Sequence, residues 1–261
     1  MSVLRRDFLP DDVAPLLTAA RIDAVVAVQA DQSDVETAFL LSLANRYAWI
    51  RGVVGWIDLC APDLATRLER YRAEPRLKGF RHIAQGEPDD FLVRPDVVAG
   101  IRTIGAWGYS YDILIYPRQL SAATQLVTQC PDVRFVLDHS AKPAIASGAL
   151  AAWRTDLTAL AAQPHVTCKL SGLVTEAAWR EWTAADITPV LDSAFALFGA
   201  HRLMFGSDWP VCLVAAEYAR VVELIERWAE QLTPSERAMV FGETASRCYG
   251  LDYSAPRSVP V

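Results

Sequence analysis

Seven short apolar runs punctuate the chain, each followed by a longer stretch in which apolar residues recur at helical spacing. The runs are Ile22 to Ala30 (IDAVVAVQA), Arg51 to Leu59 (RGVVGWIDL), Leu77 to Ile83 (LKGFRHI), Tyr111 to Tyr116 (YDILIY), Val133 to His139, His165 to Ser171 (HVTCKLS) and Arg202 to Ser207. Their apolar character is nearly continuous, which predicts strands covered on both faces. Helices are predicted from Asp11-Asp12, with Pro15, through Ala20, and from a capping box of Ser33 and Glu36 to about Tyr47. Further helical stretches lie near Asp63 to Arg72 and Phe91 to Ile104, and Thr233-Pro234-Ser235-Glu236 caps a last helix. Strand starts at 22, 51, 77, 111, 133, 165 and 202 suit βα units joined by right-handed crossovers. Seven units leave two architectures open, an open doubly wound sheet or a (β/α)8 barrel short of one strand. The helix at Asp11 precedes any strand, so a lost first strand would lie before Met1.

Length and composition narrow the picture. A chain of 261 residues, 52% hydrophobic, has the size at which a single barrel commonly closes, about 250 residues. One domain is expected over 1–261, ending in a polar tail from about 251. A net charge of −6 without a basic patch argues against nucleic acid and anionic membranes as partners, because polyanions are bound by clustered positive charge. No apolar run approaches the roughly 20 residues of a bilayer span, and the start MSVLRRDFLPDD lacks the apolar segment of a signal peptide. A cytoplasmic protein is expected. Five cysteines, at 60, 130, 168, 212 and 248, form no C-x-x-C pair, which predicts reduced thiols. Three of the 25 basic residues are lysine, Lys78, Lys142 and Lys169, and all lie in or just after predicted strands. Such lysines either point into a polar pocket or stand there by chance.

Two strands end on chemistry. Leu203 to Phe205 breaks at Gly206 and delivers Asp208 before Pro210, and Phe135-Val136-Leu137 runs into Asp138-His139-Ser140-Ala141-Lys142-Pro143. A parallel barrel presents catalytic residues in this way, at the carboxyl ends of buried strands.

Four blocks, GFRHIAQGEPDDFL (79–92), FVLDHSAKP (135–143), VTCKLSGLVTEA (166–177) and RLMFGSDWPVC (202–212), together resemble the amidohydrolase-related family (amidohydrolase 2). The likeness is to its branch of sugar-lactone hydrolases, the L-fuconolactonases and L-rhamnonolactonases among them, and it runs over nearly the whole chain in order. It implies a (β/α)8 TIM barrel of the metal-dependent hydrolase type with its site at the carboxyl ends of the strands. Family members open with a strand ending in His-x-His, and here that strand is absent. The metal histidine of the fifth family strand is also absent, since YDILIYPRQL (111–120) carries Tyr116 and Arg118 there. His139 and Asp208 stand at matched positions, against about three protein ligands for a hydrolytic zinc. No metal ligands are therefore assigned; no cofactor is expected to be required, with a divalent cation such as zinc as the family alternative.

Roles follow with their competing readings. Asp208, ionised at neutral pH, is the expected general base, or else a turn aspartate. His139 would orient the water or share its proton, or is a core histidine bonded to backbone. Arg81 and His82 are adjacent on a strand, so they leave on opposite faces; His82 is expected to face the barrel mouth and polarise the substrate carbonyl, with Arg81 reaching a neighbour or the substrate. Lys169 and Ser171 share a face as donors to an oxyanion or to sugar hydroxyls, unless Lys169 pairs with a structural carboxylate. Tyr116, with Arg118 and Asp112, would read hydroxyl groups, and Trp209 would stack on an apolar sugar face, while Trp56 and Trp107 read as packing. His165 and His201 precede their strands, on the stability face of such a barrel.

A lactone is an activated ester, so a base-activated water and a cation on the carbonyl suffice to open it. Amide hydrolysis would ask more. The expected reaction is hydrolysis of a small-molecule sugar lactone to its aldonic acid. The alternatives are a metal-dependent amidohydrolase or decarboxylase, and a catalytically impaired remnant lacking its first strand. Exposed sheet edges of the latter could be covered by a second copy of the chain, a homodimer.

Overall fold

The computed structural model describes residues 2–251, so almost all of the expected polar tail lies outside the described residues. Seven strands, β1 (Val25–Val28), β2 (Ile50–Gly55), β3 (Leu77–Ile83), β4 (Ser110–Leu114), β5 (Phe135–Leu137), β6 (Val166–Leu170) and β7 (Leu203–Phe205), form one sheet. Each pairs in parallel with the next in chain order. The helices are α1 (Pro10–Ala19), α2 (Asp34–Arg46), α3 (Leu64–Glu69), α4 (Pro95–Ala106), α5 (Leu120–Gln129), α6 (Ala151–Ala161), α7 (Ala184–Phe198), α8 (Tyr218–Trp228), α9 (Pro234–Ala238) and α10 (Thr244–Tyr249).

Strand alternation sorts the core into two layers. Phe80, Tyr111, Ile113, Phe135, Leu137, Leu170 and Leu203 face the helices in the main core. Val54, Val136 and Met204 face the other way and pack on Cys248 and Tyr249 of α10, with Val26, Val28 and Leu251 at the margin. A single short helix touches β2, β5 and β7 at once only if the sheet curls around it. The sheet is therefore a barrel wall and not an open doubly wound layer, and it corresponds to a (β/α)8 barrel lacking one strand.

Among the described residues, β1 and β7 are each paired on one side only, which leaves two edges. The gap is bridged by α1, whose Val13 and Leu17 pack on Tyr218 and Val222 of α8, between Val25 and Trp49 on one flank and Phe205 and Trp209 on the other. Phe8 meets the Trp209 ring edge-on at 5.4 Å.

Boundaries differ from the sequence expectation where local chemistry intervenes. The helix expected from Phe91 begins at Pro95, because Arg94 precedes a proline and is extended (φ −60, ψ 135), leaving Phe91–Val93 as a separate 3-10 turn. Ser33 accepts a hydrogen bond from the Glu36 amide at 3.1 Å, but the Glu36 carboxylate turns to the Ala30 amide at 3.2 Å, so that capping box is half formed. Thr233 and Glu236 make the full reciprocal pair, at 3.3 and 2.9 Å. All five cysteines are unbonded, and no helix among the described residues is long and apolar enough to cross a membrane.

Candidate active site

Both strands singled out for their tips end in left-handed backbone. After β5 the chain makes a left-handed turn in which His139, Ser140, Ala141 and Lys142 have φ of 52, 50, 60 and 51. After β7, Asp208 has φ of 56. Each such non-glycine residue costs roughly 1–2 kcal/mol, so the turn persists only because its surroundings fix it. Ala141 is fully buried, Trp153 Nε1 donates to the Ser140 carbonyl at 2.8 Å, and Ser140 Oγ donates to the Lys169 carbonyl at 3.3 Å.

The two turns bring His139 and Asp208 together, with Nε2 to Oδ1 at 3.6 Å. Ser171, at the end of β6, fixes the other ring nitrogen, Oγ to Nδ1 at 2.8 Å. Gly172 (φ +61) lies flat against the pair. A Cβ there would stand 2.7 Å from His139 Nδ1 and 3.1 Å from Asp208 Oδ2, so the position excludes any side chain. Side-chain exposures of 10% for His139 and 13% for Asp208 leave the pair reachable from solvent. Burial pushes the His139 imidazole below its ordinary value, against the opposing pull of the Asp208 and Asp138 carboxylates, which keeps the ring neutral at neutral pH.

Beneath this pair lies a buried charge network. Lys169 Nζ sits 2.6 Å from Asp112 Oδ2 and 2.7 Å from Asp138 Oδ1, and Arg81 Nη1 lies 2.8 Å from Asp138 Oδ2. Both carboxylates are fully buried. Arg81 also donates to the Gln29 carbonyl, and Gln29 Nε2 donates back to the Arg81 carbonyl at 3.0 Å. From below, Tyr249 on α10 donates its hydroxyl to Asp112 at 2.6 Å. Burial pushes Asp112 up, opposed by the Lys169 charge. For Asp138 burial works the same way, but Lys169 and Arg81 outweigh it and hold the carboxyl below the usual range. Burial likewise disfavours the Lys169 ammonium, and its two carboxylates more than offset that and raise it.

The remaining sequence candidates divide. Strand alternation turns Arg81 inward, to Asp138, while His82 stacks on Phe91 of the main core (4.8 Å, 23°), with Nε2 2.9 Å from Glu87 and Nδ1 accepting from Trp56 Nε1 at 3.4 Å. Lys169 is paired with the Asp112 and Asp138 carboxylates. Ser171 holds His139. Tyr116 is exposed at the rim, with Lys142 Nζ 6.0 Å and the Arg118 guanidinium 5.4 Å from its ring. Trp209 packs on Phe8 and the α1 seam. His165 and His201 stand at the starts of β6 and β7, away from the site.

Four participants have no role assigned from the sequence. Asp138 was hidden beside His139, although inward alternation with Val136 marks it. Tyr249 comes from the last helix and carries no local signal. Lys142 is paired with Glu176 at 2.8 Å, and its charge is felt at the His139 ring. Gly172 follows β6 with no sequence mark of the pair it lies against.

Residues 2–251 match the family model described as amidohydrolase. The chain is 49% identical to the L-fucono-1,5-lactonase of Burkholderia multivorans, over 96% of this chain and 88% of that one. It is 36% identical to the L-fucono-1,5-lactonase of Burkholderia ambifaria, over 97% and 88%. Its structure superposes with a TM-score of 0.93 on a crystal structure of a Burkholderia multivorans amidohydrolase with bound zinc, at 50% identity over 96% of this chain and 91% of the other. Among the described residues of this chain, no group of three or more His, Cys, Asp or Glu side chains is arranged to hold a metal ion. A catalytic zinc takes about three protein ligands, so the described donors do not complete its set.

Proposed function

The chain belongs to the amidohydrolase family, and from that premise we propose that it is a cytoplasmic hydrolase opening a sugar lactone to its aldonic acid, with aldono-1,5-lactones of the L-fucono type as the first substrates to test. The observation that carries the proposal is the His139–Asp208 pair fixed by Ser171 at the carboxyl ends of the strands. The names of the Burkholderia relatives support the substrate class.

Asp208 takes the proton of an attacking water as its oxygen bonds to the lactone carbonyl carbon. Neutral His139, with Nδ1 committed to Ser171 Oγ, offers Nε2 to the same water and holds it in line. The carbonyl oxygen becomes an oxyanion. Lys142, on the same turn as His139 and shared with the Glu176 carboxylate, is the cation assigned to it, while Lys169 and Arg81 are held by the fully buried Asp112 and Asp138. Collapse of the tetrahedral intermediate breaks the ring C–O bond, and the proton held at Asp208 passes to the leaving alkoxide. Tyr116, exposed at the edge of the site, is assigned to ring hydroxyls; His82, with both ring nitrogens taken by Glu87 and Trp56, supports that wall.

Proton release with a panel of aldono-1,4- and 1,5-lactones, in chelator-treated buffer, tests the reading. Turnover is expected, and Asp208→Asn should lower kcat by roughly 10²–10⁴ while the urea midpoint holds. A folded chain inert across the panel, or an Asp208→Asn variant of full activity, would overturn it. A metal-dependent hydrolysis or decarboxylation is favoured by one observation, the zinc in the Burkholderia multivorans crystal; stoichiometric zinc in the purified chain together with activity lost on chelation would replace the first reading with that one.

A further inference from the structure

A cavity of about 490 Å³ opens at the amino-terminal end of the sheet, opposite the catalytic pair. Its lining is cationic. Arg134 precedes β5, His165 precedes β6, His201 and Arg202 precede β7, and Arg247 lies on α10 beside the Thr244 hydroxyl; among the described residues no Asp or Glu lines the cavity. In a chain of net charge −6 this is a local reversal.

None of the three arginines is in an ion pair among the described residues. Each is held by backbone instead. Arg134 Nη2 donates to the Gly108 carbonyl and Arg247 Nη2 to the His201 carbonyl. Arg202 donates to the carbonyls of Ala161 (2.8 Å), Gln163 (3.1 Å), Val166 (3.4 Å) and Leu197 (3.1 Å). The carbonyls fix the guanidiniums in place, and no carboxylate among the described residues pairs with them. Burial holds Arg202 below its ordinary value, a penalty that a negative neighbour would relieve. Fixed, unneutralised forks around a concavity are suited to oxyanions, because the donors lose little freedom on binding.

We propose that this cavity binds a small oxyanion of two or more negative charges, a phosphate ester or a polycarboxylate, at a site separate from the catalytic pair. Calorimetric titration of the full chain near neutral pH, with pyrophosphate in one arm and citrate in the other, distinguishes the two chemistries. Saturable binding of at least one probe near one per chain is expected. Arg134→Gln and Arg247→Gln should each weaken it by about tenfold or more, the scale of one hydrogen bond to a charged group. Arg202 is left intact because of its carbonyls, and circular dichroism confirms that the two exposed-site variants fold. Asp208→Asn should bind the probe as the parent does. Absence of saturable heat with both probes, binding that survives the double Arg134→Gln/Arg247→Gln change, or binding lost in Asp208→Asn would each overturn the proposal.

Discussion

Replacing Gly172 by alanine puts a methyl group into the space that His139 and Asp208 use. The added Cβ would lie 2.7 Å from His139 Nδ1 and 2.8 Å from its Cγ, roughly 0.7 Å inside ordinary van der Waals contact. The imidazole is the part that can move, and moving it stretches the 2.8 Å bond to Ser171. Two costs should be separable. The backbone cost of alanine at φ +61 is about 1 kcal/mol, after allowing for the unfolded-state entropy that alanine saves. Repacking and the weakened hydrogen bond add about 1–3 kcal/mol. For catalysis, a misplacement near 1 Å costs about 10²-fold, so kcat/KM should fall roughly 30- to 100-fold. Gly148 supplies the control: its φ is +67, and nothing lies within 4 Å of an added Cβ. Gly148→Ala should share the backbone cost of about 1 kcal/mol and leave lactone turnover unchanged. Urea unfolding and proton-release kinetics on the two variants measure both quantities. If Gly172→Ala stays folded and loses no more activity than Gly148→Ala, the placement of His139 does not matter to turnover and the catalytic reading fails.

Lys169→Met leaves Asp112 and Asp138 buried with Arg81 as the cation remaining at hydrogen-bond distance, and should destabilise the chain by about 3–5 kcal/mol in urea. Adding Asp112→Asn removes one of the stranded charges and should restore part of the loss; no restoration would mean that the lysine acts through packing. The His139 value is pushed down in the folded state, so below the unfolded value of about 6.5 the unfolded chain binds the extra proton. Its contribution to stability is therefore complete above that pH and lost as pH falls toward the lower folded value. The urea midpoint should decline over this window in the parent and decline less in His139→Gln, and kcat/KM should show its acid limb below about 6.5. An acid limb that lies above the ordinary histidine value, or that persists unchanged in His139→Gln, would rule out a neutral His139 requirement.

The parallel architecture was readable because its signal is periodic and long: seven apolar runs at crossover spacing admit few folds. That the sheet curls came from the resemblance of four blocks to a barrel family and not from the periodic pattern, because the curl rests on α10 reaching Val54, Val136 and Met204, contacts with no local sequence mark. Asp208 and His139 were legible as strand tips, and the structure brings them within 3.6 Å. Which of Arg81 and His82 faces inward was not legible, since alternation fixes that they differ but not the phase. Here Arg81 pairs with Asp138 while His82 stacks on Phe91. Lys169 left two readings open for a similar reason, because its fate depended on two carboxylates 57 and 31 residues away, Asp112 and Asp138. The left-handed run from His139 to Lys142 contains no glycine, and a turn held by its surroundings cannot be seen in its own residues.

The bond from Tyr249 to Asp112 joins the last described helix to the middle strand of the sheet. During synthesis, β4 leaves the ribosome well over a hundred residues before that tyrosine, and until α10 arrives the inward faces of β2, β5 and β7 lack Cys248 and Tyr249 to pack on. The charge network beneath the catalytic pair is thus finished last. A chain stopped one helix early would carry Asp208, His139 and Ser171 in full, yet leave the Asp112 carboxylate without the Tyr249 hydroxyl and Val54, Val136 and Met204 without Cys248 and Tyr249 beneath them.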